Sequence, residues 1–168
     1  MDPEMRTDSR VTIEIARDID ALPIAALSRD LIEFGLPWRW KPARVLSMIR
    51  DPDCVVLAAR GDNALVAFAL MEFHEIHGHL NLLATAPAYR RQGHARQLLQ
   101  WLLASARVAG LATISLEVRS DNYAAQEFYR RLGFRIEKRL VDYYAQRIDA
   151  LNMILPLIEP AQAARRPQ

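Results

Sequence analysis

Residues 85–96 read TAPAYRRQGHAR. Apolar patterning on either side places this stretch between a strand and a helix, with Gly93 at the helix start. The first N–H groups of a helix lack intrahelical partners, and its N-terminus carries a partial positive charge. Gly93 and Ala95 are small enough to let that backbone approach a bulky anion. Arg90, Arg91 and Arg96 add charge-assisted donors for phosphate oxygens. This chemistry suits a pyrophosphate. Two other phosphate-binding patterns do not fit: no G-x-x-x-x-G-K-[ST] occurs, and the stretch lacks the three glycines of G-x-G-x-x-G. Taken alone, the segment fits a capped helix with solvated arginines equally well.

A second constellation follows at LEVRSDN, residues 116–122, leading into EFYRRLGF, residues 127–134. Strand alternation turns Glu117 away from Leu116 and Val118. In the helix beyond, Ala125, Phe128 and Leu132 form an apolar stripe, while Asn122, Gln126 and Tyr129 form a polar one. A carboxylate leaving a strand end and a phenol on a facing helix are residue types that can take and give a proton. Singly, each reads more simply as an exposed Glu, a helix-start Asn and a boundary Tyr.

The elements that must hold these residues follow from periodicity. Alternation predicts a strand at residues 11–16, and apolar runs bounded by turns predict strands at 54–60, 64–74, 79–85, 113–118, 135–144 and 151–157. Helical spacing predicts helices over 20–34, 42–49, 93–109 and 122–132, the last with Ser120 or Asp121 as N-cap. Gly61-Asp62-Asn63 reads as a hairpin turn and His77-Gly78 as a second. The order βααβββαβαββ puts antiparallel hairpins around one β-α-β unit. It predicts an α+β fold, a mixed sheet with helices on both faces. Residues 1–10 and 159–168 read as loose tails around one domain at 11–158.

Composition sets the outer bounds. The chain has 168 residues, 51% hydrophobic and 25% charged, which suffices for one globular core without disulfide or metal. Its 22 basic and 20 acidic residues leave +2, too balanced for nucleic acid to be the main partner. No apolar run approaches a membrane span, and residues 1–10 lack the basic-then-apolar pattern of a secretory signal. A single cysteine, Cys54, allows no intramolecular disulfide, in keeping with the cytoplasm. Neither nucleic acid nor membrane is expected as a partner, and a monomer and a homodimer fit equally well.

In this order, the two segments resemble the GNAT family of N-acetyltransferases. R-x-x-G-x-A at residues 90–95 is similar to that family's acetyl-CoA pyrophosphate signature. LEVRSDNYAAQEFYRRLGF at residues 116–134, followed by Tyr143, Tyr144, Asp149, Ala150 and Met153, resembles its ribosomal-protein-alanine N-acetyltransferase (RimI-like) branch. The resemblance is close over residues 79–157 and topological over 11–78. It implies the acyl-CoA N-acyltransferase fold, acetyl-CoA as co-substrate and no metal. Carried over residue by residue, Leu83 and Thr85 would offer strand backbone to the pantetheine and thioester. Arg91, Gln92, Gly93, His94, Ala95 and Arg96 would hold the pyrophosphate, and Asn122 would contact the pantetheine arm. Glu117 matches the general base and Tyr129 the general acid. The partner is then an amine-bearing acceptor: a protein N-terminus, a peptide, an amino acid or a small amine. A catalytically silent acyl-CoA-binding regulatory module is the alternative, and the presence of both Glu117 and Tyr129 weighs against it.

Direct transfer needs no covalent enzyme intermediate, so Cys54 is expected in the core and not as a nucleophile. If Glu117 takes the amine proton, Glu117→Gln is expected to weaken turnover most at low pH, with Glu72 or His79 as substitute bases on neighbouring strands. His74, His77 and His79 have the spacing of a solvated turn better than that of a helical zinc site. Trp38 and Trp40, between the first two helices, can border an acceptor site or anchor their loop.

Overall fold

A computed structural model of the protein describes residues 10–145 and 147–158. The expected tails fall outside the described residues, apart from Arg10. The strands are β1 (Thr12–Ile15), β2 (Cys54–Gly61), β3 (Ala64–Phe73), β4 (His77–Thr85), β5 (Thr113–Arg119), β6 (Arg135–Tyr144) and β7 (Ile148–Pro156). The helices are α1 (Ala21–Leu31), α2 (Pro42–Arg50), α3 (His94–Val108) and α4 (Tyr123–Arg131). One seven-stranded sheet runs in the order β1-β2-β3-β4-β5-β7-β6. Only β4 and β5 pair in parallel, joined through α3; the other pairs are antiparallel.

Alternation along the strands feeds two cores. Leu57, Met71, Leu80, Ile114, Leu116 and Met153 meet Leu98 and Leu102 of α3 on one face. Val56, Phe68, Leu70 and Leu82 meet Ile24 and Ala25 of α1 and Val45 of α2 on the other. The mixed sheet with helices on both faces is thus as expected. The β2–β3 turn also forms as expected, with both Asp62 (φ 50°) and Asn63 (φ 61°) left-handed, the conformation that matches strand twist in a tight hairpin.

Three local expectations are corrected. Helix α1 stops at Leu31, short of Phe34. The buried Glu33 accepts N–H groups of Arg39 (2.7 Å) and Trp40 (3.2 Å), which folds the chain into a loop and leaves Phe34 73% exposed. The N-cap of α4 is Asn122, whose side chain accepts from Ala125 N at 3.1 Å, and not Ser120 or Asp121. Gly78 lies inside β4; the turn is at residues 74–76. This glycine serves packing: a Cβ there would come within 2.5 Å of Ile114 Cδ1 and 3.1 Å of Leu111 Cδ1. Gly78→Ala is expected to destabilise the fold by about 1–3 kcal/mol, because the buried Ile114 must be displaced. Chemical denaturation checks this, and an unchanged midpoint would contradict it.

One irregularity shapes the site. Met71 pairs with Leu80 but Leu70 pairs with Leu82, so Asn81 is an extra residue in β4. Such a bulge breaks alternation and bends the strand. Before it, Leu80 faces the α3 core; after it, Leu82 faces the α1–α2 core. Strand β4 pairs with β5 only at His77, Gly78 and His79. Beyond these the strands part, and the β4 edge from residue 80 to 85 is not paired with β5.

Candidate active site

A cavity of about 650 Å³ occupies this divergence, lined by Leu83 and Thr85 of β4, Glu117 of β5, Asn122 and Tyr129. Five of the residues singled out from the sequence therefore share one cleft. Arg91, Gln92, Gly93, His94, Ala95 and Arg96 do not line it; they form the loop and first turn of α3. Arg90 does line the cavity, and its Nε donates to the Thr85 carbonyl at 3.3 Å, joining loop to strand.

The loop backbone suits an anion. Arg91 (φ 61°) and Gly93 (φ 84°) are left-handed, and Gly93 caps α3 without a side-chain hydrogen bond. Among the described residues, nothing beyond the adjoining chain lies within 4 Å of a Cβ built at Gly93, so the helix start is open to approach. Left-handed residues beside a helix N-terminus turn successive N–H groups toward one point. Two side chains point elsewhere. Gln92 Nε2 donates back to Ala88 O at 3.4 Å, and both ring nitrogens of His94 are buried without a partner among the described residues, beside Tyr89. Gln92 and His94 thus have main-chain N–H to offer, while the exposed Arg91 and Arg96 have charge. In the cleft, Thr85 Oγ1 and Asn81 Oδ1 are buried without a hydrogen bond among the described residues, the kind of orphan a polar ligand satisfies.

Gln126 fixes the start of α4, its Nε2 donating to the carbonyls of Arg119 and Ser120 at 3.1 Å each. Of the expected polar stripe, Gln126 and Tyr129 are buried over the end of β5, while Asn122 is exposed where it lines the cavity. Because Asn122 Oδ1 is occupied by its cap, its amide N–H₂ is what remains for a ligand. Tyr129 is 9% exposed and packs edge-on against Phe128 and Phe134. Its hydroxyl has no hydrogen-bond partner among the described residues, and burial pushes the phenol well above its ordinary value, so it keeps its proton.

Glu117 is a paired carboxylate. Its Oε2 lies 3.0 Å from His79 Nε2, and its Oε1 accepts from Asn152 Nδ2 at 3.2 Å. Burial pushes its pKa up, but the His79 and Asn152 bonds and the charges of His79 and Lys138 outweigh this and hold it below 4.5. The hydrogen bond to Glu117 raises His79 above 6.5 against the effect of burial, with the charges of Glu117 and Glu72 adding to it. The contribution of His79 to stability is complete below 6.5 and is lost as pH rises through its folded value. That of Glu117 is complete above 4.5 and is lost as pH falls through its folded value. The pair stabilises most between those limits.

A second cavity of about 530 Å³ opens against the α1–α2 loop and shares Asn81, Glu117 and Tyr144 with the first. Trp40, Arg39, Arg44 and Tyr143 line it. Trp40 is both wall and core anchor, whereas Trp38 packs against the α1–α2 core and lines neither cavity. Cys54 also lines neither, and burial together with Asp51, Glu72 and Asp53 pushes its thiol up to about 12, which leaves it inert as a nucleophile. Asn152 and Asn81 escaped the sequence reading. Asn152 is legible only once β5 and β7 are known to pair Glu117 with it.

The family model for the acetyltransferase (GNAT) family matches residues 24–134. The chain belongs to this family. Over 80 residues it is 42% identical to N-alpha-acetyltransferase 30 of Schizosaccharomyces pombe, covering 48% of this chain and 53% of that one. Over 96 residues it is 38% identical to the ribosomal protein bS18 alanine N-acetyltransferase of Escherichia coli, covering 55% and 65%. The chain thus spans about half to two thirds of the length of these curated relatives. The crystal structure of the Escherichia coli enzyme superposes with a TM-score of 0.78 at 28% identity, over 89% of this chain and 96% of that one. Arabidopsis thaliana NAA60 in complex with acetyl-CoA shares the fold, with a TM-score of 0.76 at 19% identity over 88% and 98%. Among the described residues no helix of this family member is long and apolar enough to cross a membrane.

Proposed function

We propose that the chain is an N-acetyltransferase that moves the acetyl group of acetyl-CoA to the α-amine of a protein N-terminus or peptide, in the cytoplasm. The observation that carries this reading is the position of Glu117, which lines both of two adjoining cavities. A donor in one cavity and an acceptor in the other would then meet at a proton acceptor. The diphosphate would rest on the main chain of residues 91–96, with the pantetheine between the β4 edge and Asn122. The amine nitrogen attacks the thioester carbonyl; a C–N bond forms, and the C–S bond breaks. The amine proton goes to Glu117 and His79. Tyr129 lies far above the ordinary thiol value of ~8.5, so it donates a hydrogen bond to the leaving sulfur and gives up its proton only as that sulfur gains charge. The names of the relatives support a protein N-terminal acceptor; bearing both Glu117 and Tyr129, the cleft is equipped for more than silent acyl-CoA binding.

The charge of the second cavity narrows the acceptor. Glu33 spends its carboxylate on backbone N–H groups, and Arg44 lies 3.8 Å over the Trp40 ring. Neither Arg39 nor Arg44 has a carboxylate partner among the described residues. Peptides with Asp or Glu after the first residue are expected to exceed their Lys or Arg counterparts in kcat/KM by roughly fivefold, the worth of about 1 kcal/mol for a partly exposed ion pair. Thiol release from acetyl-CoA with such a peptide panel tests both levels. Release with no peptide would defeat the enzymatic reading, and equal rates for acidic and basic peptides would defeat the charge preference.

A further inference from the structure

The parallel pairing of β4 and β5 sets His77 opposite Thr113 and His79 opposite Ser115. Alternation then brings His77, His79, Thr113, Ser115 and Glu117 to the same face of the two strands. Their side chains form an unbroken series. Glu117 Oε2 lies 3.0 Å from His79 Nε2, and His79 Nδ1 lies 3.2 Å from Ser115 Oγ. Ser115 Oγ lies 2.9 Å from His77 Nε2, and His77 Nδ1 lies 3.0 Å from Thr113 Oγ1. One end touches both cavities. The other lies beside the exposed turn at residues 74–76, where His77 is half-buried and stacked near His74. Ser115, the middle link, is buried.

We infer that this series is a proton exit path, carrying the proton released by the acceptor amine from Glu117 and His79 through Ser115 and His77 to solvent. The inference rests on the acetyltransferase reading for its purpose but not for its test. Protons balance at every link. With His79 doubly protonated, Nε2–H donates to Glu117, Nδ1–H donates to Ser115 Oγ, the serine hydroxyl donates to His77 Nε2, and His77 Nδ1–H donates to Thr113 Oγ1. This is the state reached when a neutral His79 has taken the amine proton through Glu117, and release of that proton moves the last three of these hydrogens one step outward. His79 passes its Nδ1 proton to Ser115, Ser115 passes its own to His77 Nε2, and His77 Nδ1 releases one to Thr113 or water. The series is then left in the opposite polarity, with the serine hydroxyl donating to His79 Nδ1. Burial and the neighbouring charges of His79 and His74 lower His77, the right direction for a group that must release a proton and not store it. Glu72 from β3, Asn152 from β7 and Lys138 from β6 also face the Glu117–His79 end.

The two polarities differ at His77, which holds its hydrogen on Nδ1 in one and on Nε2 in the other. Nitrogen-15 spectra of the imidazoles in the full chain read this without any acceptor. The expected result is that His77 changes tautomer as His79 titrates, and that Ser115→Ala abolishes the coupling. A His77 tautomer indifferent to His79 in the wild-type protein would overturn the path, whatever the enzymatic activity. In turnover, Ser115→Ala is expected to lower kcat about tenfold in dilute buffer, less than the ~10²-fold cost of losing a base itself, with added imidazole restoring the rate. A full rate in dilute buffer, or a loss that imidazole does not restore, would also overturn it. Absence of turnover in the wild-type protein would instead strike the acetyltransferase reading and leave the spectra to decide the path.

Discussion

Tyr129→Phe is expected to lower kcat for acetyl transfer by about 10²-fold, or ~2.7 kcal/mol in the barrier, with acetyl-CoA affinity nearly unchanged. The hydroxyl has no partner in the described structure, so removing it strands no buried group, and the folded protein should lose under about 1 kcal/mol. The ring packing against Phe128 and Phe134 is kept by a phenylalanine. A structural role would show as a lower melting temperature, and a binding role as a higher KM for acetyl-CoA. A role at the leaving sulfur shows as neither. Thiol-release kinetics together with thermal shifts in the presence of acetyl-CoA separate the three, and a near-normal kcat would remove Tyr129 from the chemistry.

Glu117→Gln is expected to cost on the order of 10²–10³-fold, and its pH dependence is the sharper test. A lone carboxylate base would make the loss greatest at low pH. The pairing with His79 reverses that expectation. When His79 is protonated, its bond and charge hold Glu117 below 4.5, where it is a poor base. When His79 is neutral, the pair accepts a proton with the raised affinity of His79. The acid limb of the rate therefore belongs to the pair and lies above 6.5. Without Glu117, His79 loses the bond that raised it, while burial still lowers it, so the limb of the variant moves to lower pH. The ratio of wild-type to variant rates should grow as pH rises. Using one acceptor for both proteins cancels ionisation of the amine. A ratio that grows toward low pH would show Glu117 acting without His79.

The elements were legible because their cause is local. VTIEIA and TISLEV alternate as half-buried strands must, VVLAA is the unbroken apolar run of a strand covered on both faces, and leucines at 98, 99, 102 and 103 mark the buried side of α3. The two arms of the candidate site stood out because glycine, arginines, a strand-end acid and a helix phenol are unusual in that order. Gly78 misled because a glycine after a histidine looks like a turn, and only the positions of Ile114 and Leu111 reveal it as a gap left for packing. The end of α1 misled because helical spacing continues to Phe34, while Glu33 is claimed by backbone six and seven residues later. The partnership of Glu117 with His79 and Asn152 depends on which strands lie side by side and in what register. No window along the chain contains that information.

The extra residue at Asn81 divides β4 into halves of opposite phase. Toward its N-terminus, His77 and His79 belong to the proposed proton path; toward its C-terminus, Leu83 and Thr85 line the cavity proposed for the donor. With alternation reset between them, a change of facing in one half need not propagate to the other. One continuous strand therefore behaves as two separately adjustable parts, and acceptor choice can drift across descendants of this fold while the thioester's berth stays as it is.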